Sequence, residues 1–383
     1  MILTALGAFS LLIWIYLLLF RGGFWRVSKS VARPAIARVP PKRIAVIVPA
    51  RNEAEVIGQS IASLLQQDFP ARLHVFLVDD SSTDETAEIA RQAAERTGRG
   101  DCLTIVRGEP LPAGWTGKMW AASQGAARAI ELKPDYLLFT DADIQHGRPN
   151  VAELVAIAEA GGYDLASYMV LLACKTPAEK ALIPAFVFFF LMLYPPAWIA
   201  SRSSRTAGAA GGCILVRPAA LSAAGGIEAI RNEVIDDCAL ARRVKRTGGQ
   251  IWMGLTRETK SIRSYRTFGE IGRMISRTAF NQLHHSALLL AGTVAGLFVT
   301  YLLPPLMLCT GRPVPMLLGA AAWVLMAVSY RPMVRLYNCP FAWSFALPAV
   351  ASFYLAATVH SAVQYWRGLG GNWKGRVQDV RVF

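Results

Sequence analysis

Residues Ile2 to Phe20, ILTALGAFSLLIWIYLLLF, carry no charge at all. About 20 apolar residues are needed for a helix to cross the hydrocarbon layer of a bilayer, so this run is long enough. It has neither a cationic start nor a small-residue cleavage site, and it reads as an uncleaved anchor rather than a signal peptide. Arg21, Arg26, Lys29, Arg33, Arg38, Lys42 and Arg43 follow, with no acid before Glu53. Basic flanks stay on the cytoplasmic side. The expected arrangement is an anchor over 1–20 with its N-terminus outside, a basic linker over 21–43, and a cytoplasmic domain on the inner face of the cell membrane.

Composition extends that picture. The chain is 54% hydrophobic and 17% charged, which is too apolar for an ordinary soluble domain. Three more apolar segments, 287–309, 314–330 and 340–363, define an expected C-terminal membrane region over 286–365 and a multi-pass protein. Three crossings would place the basic tail 366–383 outside, against its charge, so one segment is expected to be re-entrant. ALIPAFVFFFLMLYPPAWIA, 181–200, is also long enough to span, but Pro184, Pro195 and Pro196 interrupt it and Tyr194 and Trp198 favour interfacial depth. It reads as an interfacial element lying in the near leaflet, with a buried core helix as the alternative.

The net charge is +14. Its basic residues flank apolar segments and lack the aromatic interleaving of a nucleic-acid module, so no nucleic-acid partner is expected. Anionic lipid headgroups and phosphorylated substrates fit better. Six scattered cysteines form no CxxC pair, which argues against a disulfide framework or a zinc site.

Between these apolar regions, over 44–285, short β-branched runs alternate with helical spacing. RIAVIVPA, RLHVFLVDD, CLTIVRG and PDYLLFTDAD read as strands; EAEVIGQSIASLLQQ and SSTDETAEIARQAAERT read as helices. Alternation of this kind implies an α/β domain with a parallel sheet covered on both faces. Ligands bind beyond the carboxyl ends of such strands, and three of these ends are polar: PARNE, DDSSTD and DAD.

In an extended segment residues two apart point the same way, so Asp141 and Asp143 can present two carboxylates to one hard cation. Oxygen-only ligands suit Mg²⁺ or Mn²⁺, which commonly also bind substrate phosphates. Paired turn-capping aspartates are the alternative. Asp79 and Asp80 read as acceptors for a base or ribose, as helix caps, or as both. Lys118 lies in PAGWTGKMW, which fails the phosphate-loop pattern; it reads either as a point charge on a diphosphate or as a surface lysine. Asp236 and Asp237 open a helix, where capping and proton abstraction from a hydroxyl both explain an acid. His146 has no second histidine at ligand spacing and reads more readily as structural than as a third ligand.

VIVPARNEAEVIGQSIASLL, VDDSSTDET, TDAD and IDDCAL occur in the order found in family 2 glycosyltransferases, which these residues resemble. PAGWTGKMWAASQG, AAGGCILVRPAAL, VIDDCALARRVKRTGG and WKGR are more narrowly similar to the hopene-associated members. The resemblance implies a GT-A fold, the Rossmann-like nucleotide-diphosphosugar transferase architecture. It implies that Pro49, Ala50, Arg51 and Glu53 line the nucleotide, and that Asp79 and Asp80 contact uracil or ribose. Asp141 and Asp143 match the D-x-D that holds Mg²⁺ or Mn²⁺ against the donor diphosphate. Asp236-Asp237 match the family's acidic pair, with Asp237 as the base because Leu240 follows it by three residues; Asp236 replaces the usual Glu. Of the Q-x-x-R-W motif only Arg277 matches, so a diphosphate contact there stands alone and a processive polysaccharide synthase is not implied.

The resulting expectation is a membrane-bound inverting glycosyltransferase of the hexosyltransferase type. It would take a nucleotide-diphosphate sugar, a UDP-sugar first, and a membrane lipid acceptor of hopanoid type. A polyprenyl-phosphate glycosyltransferase and a silent nucleotide-binding membrane scaffold are the alternatives.

Overall fold

The computed structural model describes residues 1–27, 42–69, 73–373 and 376–379. Lys29, Arg33 and Arg38 of the basic linker, and Lys374 and Arg381 of the tail, lie outside the described residues.

The described chain divides into two compact units. One comprises the described parts of 30–173 and 198–263, the other those of 1–29, 174–197 and 264–383. The sheet unit thus ends at Arg263 rather than at 285, and residues 174–197 fall outside it.

Four apolar runs make the first half of the sheet. Strands β1 (Ile44–Ala50), β2 (Leu73–Asp79), β3 (Leu103–Arg107) and β4 (Tyr136–Phe139) are all mutually parallel, β1 lying between β2 and β4 and β3 pairing with β2. β1 is buried at every position, as a strand covered on both faces must be. Helix Gly117–Ile130 packs on β1 and β2, and helices Ile57–Leu65 and Thr86–Arg96 pack together. Gly125 permits the first of these contacts, because a Cβ there would lie 2.7 Å from Ile47 Cγ2.

The second half departs from the expected all-parallel sheet. β7 (Ile214–Val216) runs antiparallel to both β4 and β6 (Leu165–Leu171). β8 (Ile251–Ser261) is parallel to β6, and β5 (Ile144–Gln145) is antiparallel to β8. The order is β3-β2-β1-β4-β7-β6-β8-β5. β7 is entered from a non-helical stretch, not from the crossover helix that makes a parallel neighbour. The parallel half brings Ala50, Asp79, Arg107 and Phe139 to one edge, and this edge positions the site.

The other unit is helical. Helices long and apolar enough to cross a membrane occupy Ile2–Phe20, Pro177–Ala200, Ala287–Thr310 and Pro313–Leu336. The segment expected at 314–330 continues as helix through Arg331 and Pro332 to Leu336. The segment expected at 340–363 is helix Leu347–Trp366 behind a 3₁₀ turn, and is not among the four. Stretch 181–200 is a helix from Pro177 to Leu193 that carries Pro184 within it, followed by the short helix Pro196–Ala200. Aromatic rings lock these helices: Trp14 meets Tyr301 edge-on at 5.4 Å, Phe188 meets Tyr330 at 5.2 Å, and Phe189 meets Tyr354 at 4.9 Å. Tyr354 also donates to the Leu182 carbonyl at 2.8 Å, and Trp14 Nε1 to that of Thr300 at 2.8 Å.

Candidate active site

The ends of β1 and β2 are fastened to each other. Asn52 and Ser81 both adopt left-handed backbone, at φ 52° and 55°, which turns the two loops sharply at the strand tips. Ser82 Oγ accepts from Asn52 N–H, and Asn52 Oδ1 accepts from Thr83 N–H. Arg51 donates to the Asp80 carbonyl at 2.6 Å and lies 3.9 Å from its carboxylate. Asp79 closes the turn by accepting from Ser82 N–H but does not cap helix Thr86–Arg96, whose N-cap is Glu85, and Asp80 is buried. At the neighbouring tip Gly108 is obligatory in practice, since a Cβ would meet the Asp79 carbonyl at 2.9 Å.

Asp141 and Asp143 do not extend β4 as alternation predicts. The strand ends at Phe139, and Ala142 and Asp143 form a turn before β5. Each carboxylate instead meets a cation. Lys118 Nζ lies 2.8 Å from Asp141, and Arg263 Nε lies 3.1 Å from Asp143 while its Nη2 pairs with Glu53. Asp141 keeps 37% of its side chain exposed and Asp143 only 17%. Burial, then the Asp141 charge, pushes the Asp143 carboxyl above the usual range, with Arg263 acting against them.

Behind this turn His146 is buried and hydrogen-bonded at both ring nitrogens, to Asn150 at Nδ1 and Thr140 at Nε2. Thr140 Oγ1 in turn donates to the Gly212 carbonyl at 2.8 Å. Burial lowers the imidazole to about 3, so the ring is neutral. With Asn150 donating to Nδ1, Nε2–H is free to donate to Thr140, and the chain of bonds joins the tip of β4 to the glycine pair ahead of β7. His146 is structural.

Lys118 sits in the first turn of helix Gly117–Ile130, whose cap is Thr116. It is not a surface lysine: its Nζ also lies 3.1 Å from Asp236, and 25% of its side chain is exposed. Burial works against its charge, but Asp141 and Asp236 outweigh that and raise the ammonium well above its ordinary value.

Asp236 and Asp237 open helix Asp236–Arg246. Asp237 accepts from Gly211 N–H at 2.9 Å and from Cys238 N–H at 2.7 Å. Burial and the Asp236 charge push it above the ordinary carboxylate value, and Lys118 pulls it back. A cleft of about 380 Å³, open mouth included, has Pro49, Lys118, Asp141, Gly211, Asp236 and Asp237 on its wall, with Met119, Phe139, Ile214, Ile227, Ile230 and Leu240 as its apolar lining.

Of the residues expected at the site, Pro49, Lys118, Asp141, Asp236 and Asp237 therefore share one cleft. Ala50, Arg51, Glu53, Asp79 and Asp80 lie at the adjoining strand tips, and Asp143 sits in the turn after Asp141. Arg277 belongs to the helical unit, at the C-cap position of helix Phe268–Ser276. Arg263 and Gly211 were not expected. Arg263 could have been found by the rule that found the others, since it lies two residues past the carboxyl end of β8.

Residues 45–223 match the family described as glycosyl transferase family 2. Over 112 residues the chain is 34% identical to 4,4'-diaponeurosporenoate glycosyltransferase of Staphylococcus aureus strain USA300; the alignment covers 29% of this chain and 27% of that enzyme. The chain thus spans about a quarter of the length of the curated relatives it matches. Among solved structures it is similar to the mannosyltransferase PcManGT from Pyrobaculum calidifontis in complex with GDP-Man and Mn²⁺. That likeness has a TM-score of 0.53 and 19% identity, and covers 94% of this chain and 98% of that one. The sheet order and this likeness define a GT-A fold, and residues 45–223 are a glycosyl transferase family 2 domain.

Proposed function

We propose that the protein is a membrane-bound inverting glycosyltransferase that moves a sugar from a nucleotide-diphosphate donor, a UDP-sugar first, to a lipid hydroxyl. The observation that carries this is the unbroken path Asp141–Lys118–Asp236, with Asp237 beside it, in one cleft at the carboxyl ends of the sheet. The apolar lining suits a hydrophobic acceptor, as do the helices long enough to span a membrane. The relative named for 4,4'-diaponeurosporenoate makes a lipid-like acceptor a natural candidate, and a hopanoid rests on the narrower sequence resemblance.

The donor set fits Mg²⁺ or Mn²⁺. Asp141 and Asp143 offer only oxygen, and no cluster of three His, Cys, Asp or Glu that could hold a metal occurs among the described residues. Two protein carboxylates with the remaining positions left to phosphate and water is the habit of Mg²⁺. When bound, such an ion supplies positive charge against the departing nucleoside diphosphate.

The chain's own groups do the rest. Lys118 keeps positive charge between the two acidic halves of the cleft. Asp237, held by two backbone N–H groups, removes the proton from the acceptor hydroxyl. The hydroxyl oxygen bonds to the anomeric carbon from the face opposite the diphosphate, the carbon–oxygen bond to the diphosphate breaks, and the configuration inverts. The elevated Asp237 carboxyl makes a stronger base than an ordinary aspartate.

The test is nucleoside diphosphate release by detergent-purified protein. UDP- and GDP-sugars would be offered with Mn²⁺ or Mg²⁺, with and without extracted membrane lipid. Lipid-stimulated, metal-dependent release is expected, falling at least about 10²-fold in Asp237→Asn while donor binding persists. Asp143→Ala should lose the metal dependence with the activity. Full activity in Asp237→Asn would remove the assigned base and favour a phosphate acceptor. Donor binding without release under every combination would leave a nucleotide-binding scaffold.

A further inference from the structure

Helix Asp236–Arg246 has two chemically opposite ends. Its first turn holds Asp236 and Asp237, and its last turns hold Arg242, Arg243, Lys245 and Arg246. At 100° per residue, Arg242, Arg243 and Arg246 fall in one sector of about 100°, opposite buried Leu240 and Val244. Lys245 points to the flank, where its Nζ donates to the carbonyls of Trp198, Ile199 and Thr206 at 3.2, 2.7 and 2.8 Å. This lysine pins segment 198–206 to the helix, and with it the exposed Arg202 and Arg205. None of the five arginines forms a salt bridge with a carboxylate among the described residues.

That segment is the direct continuation of the apolar stretch Pro177–Ala200. Within the helical unit, Arg21, the first charge after helix Ile2–Phe20, donates through Nε to the Met192 carbonyl at 3.0 Å. The end of the N-terminal anchor and the end of helix Pro177–Leu193 therefore lie together, and the chain meets its next charges at Arg202 and Arg205. An excess of basic residues at the point where apolar segments stop is the arrangement that anionic lipid surfaces attract.

We propose that Arg202, Arg205, Arg242, Arg243 and Arg246 form a docking surface for the headgroups of anionic phospholipids. Through Lys245, this surface sets the stance of the helix that carries Asp237 relative to the bilayer from which the acceptor comes. The inference rests on the membrane-bound reading above, but not on glycosyl transfer.

The test is hydrogen–deuterium exchange on the full-length protein in nanodiscs of phosphatidylcholine alone or with added phosphatidylglycerol. Peptides covering 198–206 and the C-terminal half of 236–246 should exchange about fivefold more slowly with phosphatidylglycerol, the effect of about one headgroup-held arginine. High salt should abolish the difference. So should Arg242→Gln/Arg243→Gln/Arg246→Gln, or separately Arg202→Gln/Arg205→Gln, each verified as folded by unchanged protection of β1. Arg96→Gln/Arg99→Gln should leave it intact. Equal exchange in both discs, or an anionic-lipid effect that survives both sets of glutamines, overturns the proposal. The measurement needs neither donor nor acceptor, so a protein that proved inactive would still report on the surface.

Discussion

Asp237 and Lys118 each favour the other's charged form, and a pH profile can read that coupling. Burial and Asp236 raise the Asp237 carboxyl, while the Lys118 ammonium favours its ionised form. A base must be ionised to act, so kcat/KM should fall on the acid side with a midpoint above about 4, the ordinary aspartate value. In Lys118→Met the ion that favours the carboxylate is gone, and the midpoint should move to higher pH by about one unit. The position of the limb separates this effect from any loss of donor contact, which lowers the whole curve. An acid limb at the same pH in both proteins would show that Lys118 does not govern Asp237. Acid residues in PARNE, DDSSTD and DAD were legible because polar groups at the ends of apolar strands have few structural uses. Their cations were not, because an ion pair between Arg263 and Asp143 joins positions far apart in sequence and leaves no local pattern. Alternation along an extended strand was the wrong reason for choosing Asp141 and Asp143; the turn after Phe139 is what presents them.

Elements were readable where burial is uniform. β1, β2, β3 and β4 are apolar runs ended by polar residues, and their positions agree with the sequence reading. β5 and β7, of two and three residues, are too short for any periodicity, so the antiparallel half of the sheet had no signal. Helix Pro177–Leu193 was obscured by its prolines, yet its start is written in Thr176-Pro177-Ala178-Glu179, a capping box with proline at the first position. Glu179 is 0% exposed and accepts from Lys175 N–H, Thr176 N–H, Tyr265 N–H and Ser264 Oγ, so it joins the helix start to the strand-exit segment 264–265. Glu179→Ala leaves those donors unpaired and should destabilise the helical unit by about 3 kcal/mol or more. Glu179→Gln keeps one acceptor oxygen and should cost less. Thermal unfolding in detergent measures both, and equal stability of Glu179→Ala and the parent would mean that water replaces the carboxylate.

At the level of the whole chain, composition exposed the apolar segments but not which of them cross. Connectivity decides one case. The chain leaves the sheet unit after Ala173 and re-enters it at Trp198, so a crossing helix between them would put parts of a single compact sheet on opposite sides of the bilayer. We therefore propose that helix Pro177–Leu193 stays in the near leaflet, although its length and composition are sufficient to span. No such constraint acts on Ala287–Thr310 and Pro313–Leu336, which are consecutive and joined at Gly311, with φ 66°. We propose that they form an out-and-back pair that crosses twice. Cys309 is exposed just before that turn, and Glu85 is exposed on the sheet unit. In Glu85→Cys protein, a membrane-impermeant maleimide should reach residue 85 only in inverted vesicles and Cys309 only in right-side-out ones, as mapped by mass spectrometry. Labelling of both positions from one side would make this pair re-entrant too. Among the four candidate helices of the described residues, only Ile2–Phe20 would then remain to cross, and a lipid acceptor would have to be drawn from a single leaflet.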